Sequence, residues 1–151
     1  MCMKISNIKF NFVNKIVIVF GGSRGIGEEV CKLFLDAGAN VYNASRTRCS
    51  INGVVNLKCD MSDTNQIFDV FSKFNKVDFV INVAGTNLCV PIDKISGKEW
   101  DRLMNINLKS FFTICRESII MMKKNNFGRI VNVSSIAGRS KSIVSGVHYT
   151  S

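Results

Sequence analysis

The chain has 151 residues, 46% hydrophobic and 21% charged, enough for one domain with its own core and unlike a disordered chain. The formal net charge of +9 draws anions, without choosing between a merely solvated surface, a phosphorylated ligand and an acidic partner. Six scattered cysteines with no Cys-x-x-Cys pair and a single histidine argue against zinc, no basic-aromatic motif points to nucleic acid, and no apolar run reaches the roughly 18–20 residues of a membrane span.

In chain order, residues 1–14 read as a loose lead-in. Lys4, Lys9 and Lys15 precede a short apolar stretch, but that stretch runs into glycines rather than a cleavage site, so it is a strand and not a signal peptide. The stretch, Ile16–Phe20, is a continuous β-branched run suited to a parallel strand buried on both faces. A glycine loop follows, then a helix over Gly25–Ala37, with Ile26, Val30, Leu33 and Phe34 at helical spacing and Gly38 as its C-terminal stop. Val41–Ala44 and Val54–Lys58 are the second and third strands. Asp63–Phe74 is a helix with Ser62 as N-cap, and Val77–Asn82 is the fourth strand. Ser96 and Glu99 have capping-box spacing ahead of a helical region, Trp100–Lys124, with a break near Asn105–Asn107. Arg129–Ser134 is the fifth strand.

Strands alternating with helices imply an α/β fold: a Rossmann-type doubly wound parallel sheet, strand order 3-2-1-4-5, with ligands at the carboxyl ends of strands 1 and 4. Phe111, Phe112, Ile114, Cys115, Ile119, Ile120, Met121 and Met122 cover most of the last long helix, so a partner subunit or further chain is expected over its outer side.

Gly21-Gly22-Ser23-Arg24-Gly25-Ile26-Gly27 joins the first strand to the first helix. Glycines there let the backbone approach a pyrophosphate, and the helix start offers N–H groups and a positive dipole end. Read alone, such a loop is also compatible with a tight turn. The second strand ends in Asn43-Ala44-Ser45-Arg46, with no carboxylate to hold a ribose 2′-hydroxyl or repel a 2′-phosphate, whereas Arg46 and Arg24 can pair with that phosphate. These features favour NADP(H) over NAD(H), against the alternative that both arginines are only solvated.

The loop resembles the Thr-Gly-x-x-x-Gly-x-Gly of the short-chain dehydrogenase/reductase family, with Phe20 in the threonine's place. Asn82-Val83-Ala84-Gly85 is similar to the family's Asn-Asn-Ala-Gly, with Val83 replacing an asparagine. The resemblance implies a cofactor lined by Gly21, Ser23, Arg24, Gly25, Ile26, Gly27, Ser45, Arg46, Asp60, Met61, Ala84 and Gly85, with Asn82 supporting the sheet. Asp60 is read either as a partner of the adenine amino group or as a helix cap. The stretch Gly128–Gly138 and the Met104–Leu108 segment also match family motifs. They imply three catalytic residues: Asn107 supporting a relay water, Ser135 (or adjacent Ser134) orienting a carbonyl, and Tyr149, fourteen residues on, as proton donor.

The family pattern is Tyr-x-x-x-Lys, and its lysine falls two positions beyond Ser151. The chain is therefore expected to be a C-terminally truncated family member, a single domain ending after its fifth strand and inactive as given. The implied activity is hydride transfer between NADPH and a ketone or secondary alcohol, most similar to the 3-oxoacyl-acyl-carrier-protein reductase branch. The implied partners are a carbonyl or acyl-thioester substrate, an acidic carrier protein and, in a complete chain, further copies of itself. The competing expectation is a catalytically incomplete nucleotide-binding fragment or pseudoenzyme. Scattered thiols suit the cytoplasm.

Overall fold

A computed structural model describes residues 10–139 and 146–150. Five parallel strands form one sheet: β1 (Ile16–Phe20), β2 (Asn40–Ser45), β3 (Val55–Lys58), β4 (Phe79–Asn82) and β5 (Arg129–Asn132). Their order is β3-β2-β1-β4-β5, as the alternating pattern predicts. Ile16 to Phe20 run alongside Asn40 to Ala44 on one side, and Val17 to Phe20 alongside Phe79 to Asn82 on the other. The β1 side chains alternate between two cores. Val17 and Val19 pack with Cys31, Val41 and Val54, under α1 (Gly25–Asp36). Ile18 and Phe20 pack with Ile67, Val70, Phe71 and Ile114, under α2 (Thr64–Phe71) and α4 (Ser110–Lys124).

Element ends differ from expectation where a side chain finds a better partner. Gly38, with φ of +90°, closes α1 as expected. The cap of α2 is Asp63, not Ser62: Asp63 accepts from the Asn65 N–H at 3.0 Å, while the Ser62 hydroxyl donates to Asp60 at 2.7 Å. The fourth strand starts at Phe79 rather than Val77. Asp78 turns its carboxylate inward to accept from the Ile16 N–H at 2.9 Å, with Lys15 and Lys76 at 3.7 and 3.4 Å. The lead-in is not wholly loose: Phe12 rests against Phe34 and Phe79 and its N–H donates to the Ala37 carbonyl, while residues 1–9 lie outside the described residues.

The Asp78 contact gives a stability prediction. Asp78→Ala strands the half-buried Ile16 N–H, and the two lysines are too exposed to add much. The expected loss is about 1–3 kcal/mol, read as a lower denaturant midpoint at unchanged slope.

The long helix begins with α3 (Gly97–Met104), fixed by a complete capping box between Ser96 and Glu99. The break expected near Asn105–Asn107 is a π-helical widening over Asn105–Lys109. Beyond it α4 turns small polar residues to the protein along with Ile114 and Met122. Ser110, Thr113 and Ser118 are buried, each hydroxyl donating to the carbonyl four residues back. Phe112, Ile119 and Ile120 face outward, at 62%, 45% and 47% exposure. Among the described residues, no helix is long and apolar enough to cross a membrane.

Candidate functional site

The loops at the carboxyl ends of β1, β2, β3 and β4 enclose a cleft of about 660 Å³. Eleven of the expected cofactor residues line it: Gly21, Ser23, Arg24, Gly25, Ile26, Ser45, Arg46, Asp60, Met61, Ala84 and Gly85. Gly27 and Asn82 are behind the wall rather than on it.

The glycines have distinct duties. Gly21 has φ of +91°, and a Cβ there would sit 2.7 Å from the Ala84 nitrogen, so the loop and the turn after β4 touch backbone to backbone. A Cβ at Gly27 would lie 2.1 Å from the Gly21 carbonyl oxygen, so α1 can start this close to β1 only without a side chain. Gly25 faces open space, at φ of +55°. The α1 N-cap, Arg24, makes no side-chain capping bond, so the first-turn N–H groups are left for something in the cleft. An anion fits this setting: an open glycine, an uncapped helix start and two guanidinium groups.

Phe20, in the threonine position, does not loosen the loop. Its ring is fully buried against Phe71, and its carbonyl accepts from both Val83 and Ala84 N–H groups at 2.9 Å.

The β2–β3 loop is held from beneath. Buried Asn43 donates to Asn56 at 2.8 Å and to the Thr47 carbonyl, and Asn56 accepts from Cys49 N–H. Thr47 then donates to Ser23 at 2.9 Å, bridging the loop to the glycine turn. Sequence reasoning missed Thr47 as a cleft residue, although it directly follows Arg46.

Asp60, just after β3, is not a helix cap. Its carboxylate accepts from both the Ser62 N–H and hydroxyl. Burial raises its pKa, but the two Ser62 bonds, with Arg46 and Arg102 nearby, outweigh that and hold it below the ordinary carboxylate value. Cys59 beside it is pushed up to about 12 by burial and by Asp60, Asp63 and Asp69; Cys31 is likewise pushed to about 12, by burial, Cys49 and Glu28. Both thiols are therefore neutral and shielded, whereas Cys89 is exposed. Brief iodoacetamide treatment at about pH 8 is expected to label Cys89 and to spare Cys31 and Cys59 until the chain is denatured, read by peptide mass spectrometry.

Asn82 donates to Asn132 at 2.6 Å, tying β4 to β5 beside Cys115. Asn107, in the π-helical turn, grips the turn after β4: its amide donates to the Thr86 carbonyl at 2.8 Å and accepts from the Thr86 N–H at 2.9 Å. Thr86 lines the cleft and was also missed, because its partner lies 21 residues away. Ser135 caps a short 3-10 turn (Ile136–Gly138), accepting from the Ala137 N–H at 3.2 Å, whereas Ser134 is exposed. Half-buried Tyr149 lies on α5 (Val147–Thr150), which packs against that turn and against α3.

A family model described as short chain dehydrogenase matches residues 15–151. The chain belongs to the short-chain dehydrogenase family. The 3-oxoacyl-[acyl-carrier-protein] reductase of Chlamydia trachomatis is 33% identical over 142 residues, covering 83% of this chain and 57% of the relative. A tropinone reductase homolog of Arabidopsis thaliana is 31% identical, covering 86% of this chain and 55% of the relative. The chain thus spans little more than half the length of these short-chain dehydrogenases. A short chain dehydrogenase from Leptospira borgpetersenii, solved with bound NAD+, superposes with a TM-score of 0.86 at 24% identity, over 99% of this chain and 64% of that one, and shows the shared fold. The ligand-free aldohexose dehydrogenase of Thermoplasma acidophilum gives a TM-score of 0.82 at 26% identity, over 91% of this chain and 55% of that one.

Proposed function

We propose that residues 1–151 form a single NADP(H)-binding domain of a reductase that exchanges hydride between NADPH and a ketone or secondary alcohol. The observation that carries this is the charge pattern of the cleft. Arg24 and Arg46 both line it, and β2 ends in Ser45 with no carboxylate. A 2′-phosphate meets two guanidinium groups there, with the Ser23 hydroxyl, which accepts from Thr47 and keeps its own proton to donate, beside them.

NADPH supplies the hydride when bound. The chain's own groups handle the carbonyl. Ser135 already accepts from Ala137 N–H, which leaves its own O–H to donate to the substrate oxygen. Tyr149 gives its phenolic proton to that oxygen as the alkoxide forms. Asn107 keeps Gly85 and Thr86 in place at the cleft wall through its paired bonds to Thr86. A lysine four positions after Tyr149, as in the family motif, would lower the phenol pKa.

The 33% identical reductase acts, by its name, on 3-oxoacyl groups of acyl-carrier protein, and a net charge of +9 suits an acidic carrier, so 3-oxoacyl thioesters are the proposed substrates. The outward apolar face of α4 is proposed to join copies of the protein, and buried free thiols suit a reducing cytoplasm. The test is loss of NADPH absorbance with a 3-oxoacyl thioester, in a chain that continues through the motif lysine. Turnover with NADPH, weakened by Arg46→Ala about 10- to 100-fold in cofactor affinity while NADH binding stays unchanged, supports the reading. Equal weakening of both cofactors would remove the assigned role of Arg46.

A further inference from the structure

His148 is the chain's single histidine, Trp100 its single tryptophan, and the two meet. Their rings stack, with centroids 6.4 Å apart and planes at 26°. His148 is only 1% exposed, and neither ring nitrogen has a hydrogen-bond partner among the described residues. A buried imidazole carries a desolvation cost, so its packing against Trp100 calls for a reason.

Gly146 also abuts the ring. A Cβ there would come within 2.4 Å of His148 Cε1 and 2.9 Å of the Leu88 carbonyl oxygen. Gly146 N–H donates to that Leu88 carbonyl at 3.2 Å, and the Gly146 carbonyl accepts from the Tyr149 N–H at 3.0 Å. The histidine ring therefore touches both a glycine that starts the α5 turn and an aromatic platform on α3. The platform is itself fixed, because α3 starts in a capping box whose Glu99 is held below the ordinary carboxylate value by the Ser96 N–H and hydroxyl. The next residue after His148 is Tyr149, and α5 also packs on the turn that Ser135 caps.

We propose that His148 is a positioning residue: clamped against Trp100 and Gly146, it anchors the helical turn that presents Tyr149 beside the Ser135 turn. This rests on the reading of Tyr149 as the proton donor. The clamp itself does not, and can be measured without turnover.

Trp100, as the sole tryptophan, reports the clamp directly. His148→Ala is expected to shift Trp100 emission to longer wavelength, increase its quenching by acrylamide, and speed amide exchange across residues 146–150. His148→Phe, which restores a ring, is expected to reverse all three. With turnover, His148→Ala lowers kcat on the order of 10²-fold while KM and NADPH affinity hold, the signature of a misplaced reacting group, and His148→Phe recovers most of the loss. If His148→Ala does not fold, Gly146→Ala is the second variant, and it is expected to loosen the same segment.

Unchanged emission, quenching and exchange in these variants would overturn the clamp. A kcat that stays normal in His148→Ala while Tyr149→Phe abolishes turnover would overturn the positioning role. Normal turnover in Tyr149→Phe would instead remove the proposed chemistry and leave the clamp to be decided by fluorescence and exchange.

Discussion

Tyr149→Phe is expected to reduce kcat by about 10²–10⁴ while leaving NADPH affinity unchanged. The substitution removes one oxygen and its proton and keeps the ring, so α5 should still pack on the Ser135 turn and on α3. The cleft proposed for the cofactor is made by other elements, the ends of β1 to β4, and Tyr149 does not line it. Loss of the phenol therefore separates chemistry from binding. Stopped-flow reduction, together with a cofactor titration of the same variant, reads both quantities. A parallel loss of NADPH affinity would mean that Tyr149 acts through the fold of the segment rather than through its proton.

Gly27→Ala is expected to weaken NADPH binding on the order of 10²-fold, about 2.7 kcal/mol, and to lower stability by about 1–3 kcal/mol. The added methyl would stand 2.1 Å from the Gly21 carbonyl oxygen and 2.9 Å from the Gly22 Cα. Both are backbone atoms of the glycine loop, and neither can rotate away. Relief requires α1 to move off β1, which shifts the uncapped helix start and Arg24 with it. Gly25→Ala is the contrast: its Cβ would meet nothing within 4 Å, but its φ of +55° strains any other residue. It should cost stability and leave the Gly21–Gly27 contact intact. Isothermal calorimetry and thermal melts of the two variants distinguish steric closure from backbone strain. Equal NADPH affinity in Gly27→Ala and the unaltered chain would show that α1 need not approach β1 so closely.

Most of the fold is written in local pattern. Ile16–Phe20 is apolar at every position because α1 covers one face of β1 and α2 and α4 cover the other, and the strand–glycine–helix junction follows from it. The sheet order follows from the alternation of strands and helices and the handedness of their crossovers. The limits are equally physical. The mean apolarity of α4 reveals that much of its surface needs cover, but not which side meets the sheet. Ser110, Thr113 and Ser118 take the inner side because their hydroxyls are satisfied within the helix and their small volume lets it sit close. The Asp63 cap was hidden because Ser62 and Asp63 are both good caps, and only the Asp60–Ser62 contact decides between them. Thr47 and Thr86 join the cleft through partners 24 and 21 residues away, contacts that no local spacing encodes.

The site was more legible than its supports. Gly21, Ser23, Arg24, Gly25, Ile26, Ser45, Arg46, Asp60, Met61, Ala84 and Gly85 converge on one cleft although they come from four separate segments. Asn107 illustrates the difference. Its motif was readable, but its two bonds to the Thr86 backbone, which hold the turn after β4, were not. The clamp at His148 had no signal beyond a lone histidine next to a tyrosine, since its meaning lies in Trp100, on a different helix.

The most direct test of the central claim is a calorimetric titration of the protein with NADPH and then with NADH under the same salt. Saturable one-to-one binding of both is expected, with NADPH tighter by about 10-fold or more and the difference falling as salt rises, because guanidinium–phosphate pairs supply it. Equal affinities, or no binding of either dinucleotide, would contradict that claim.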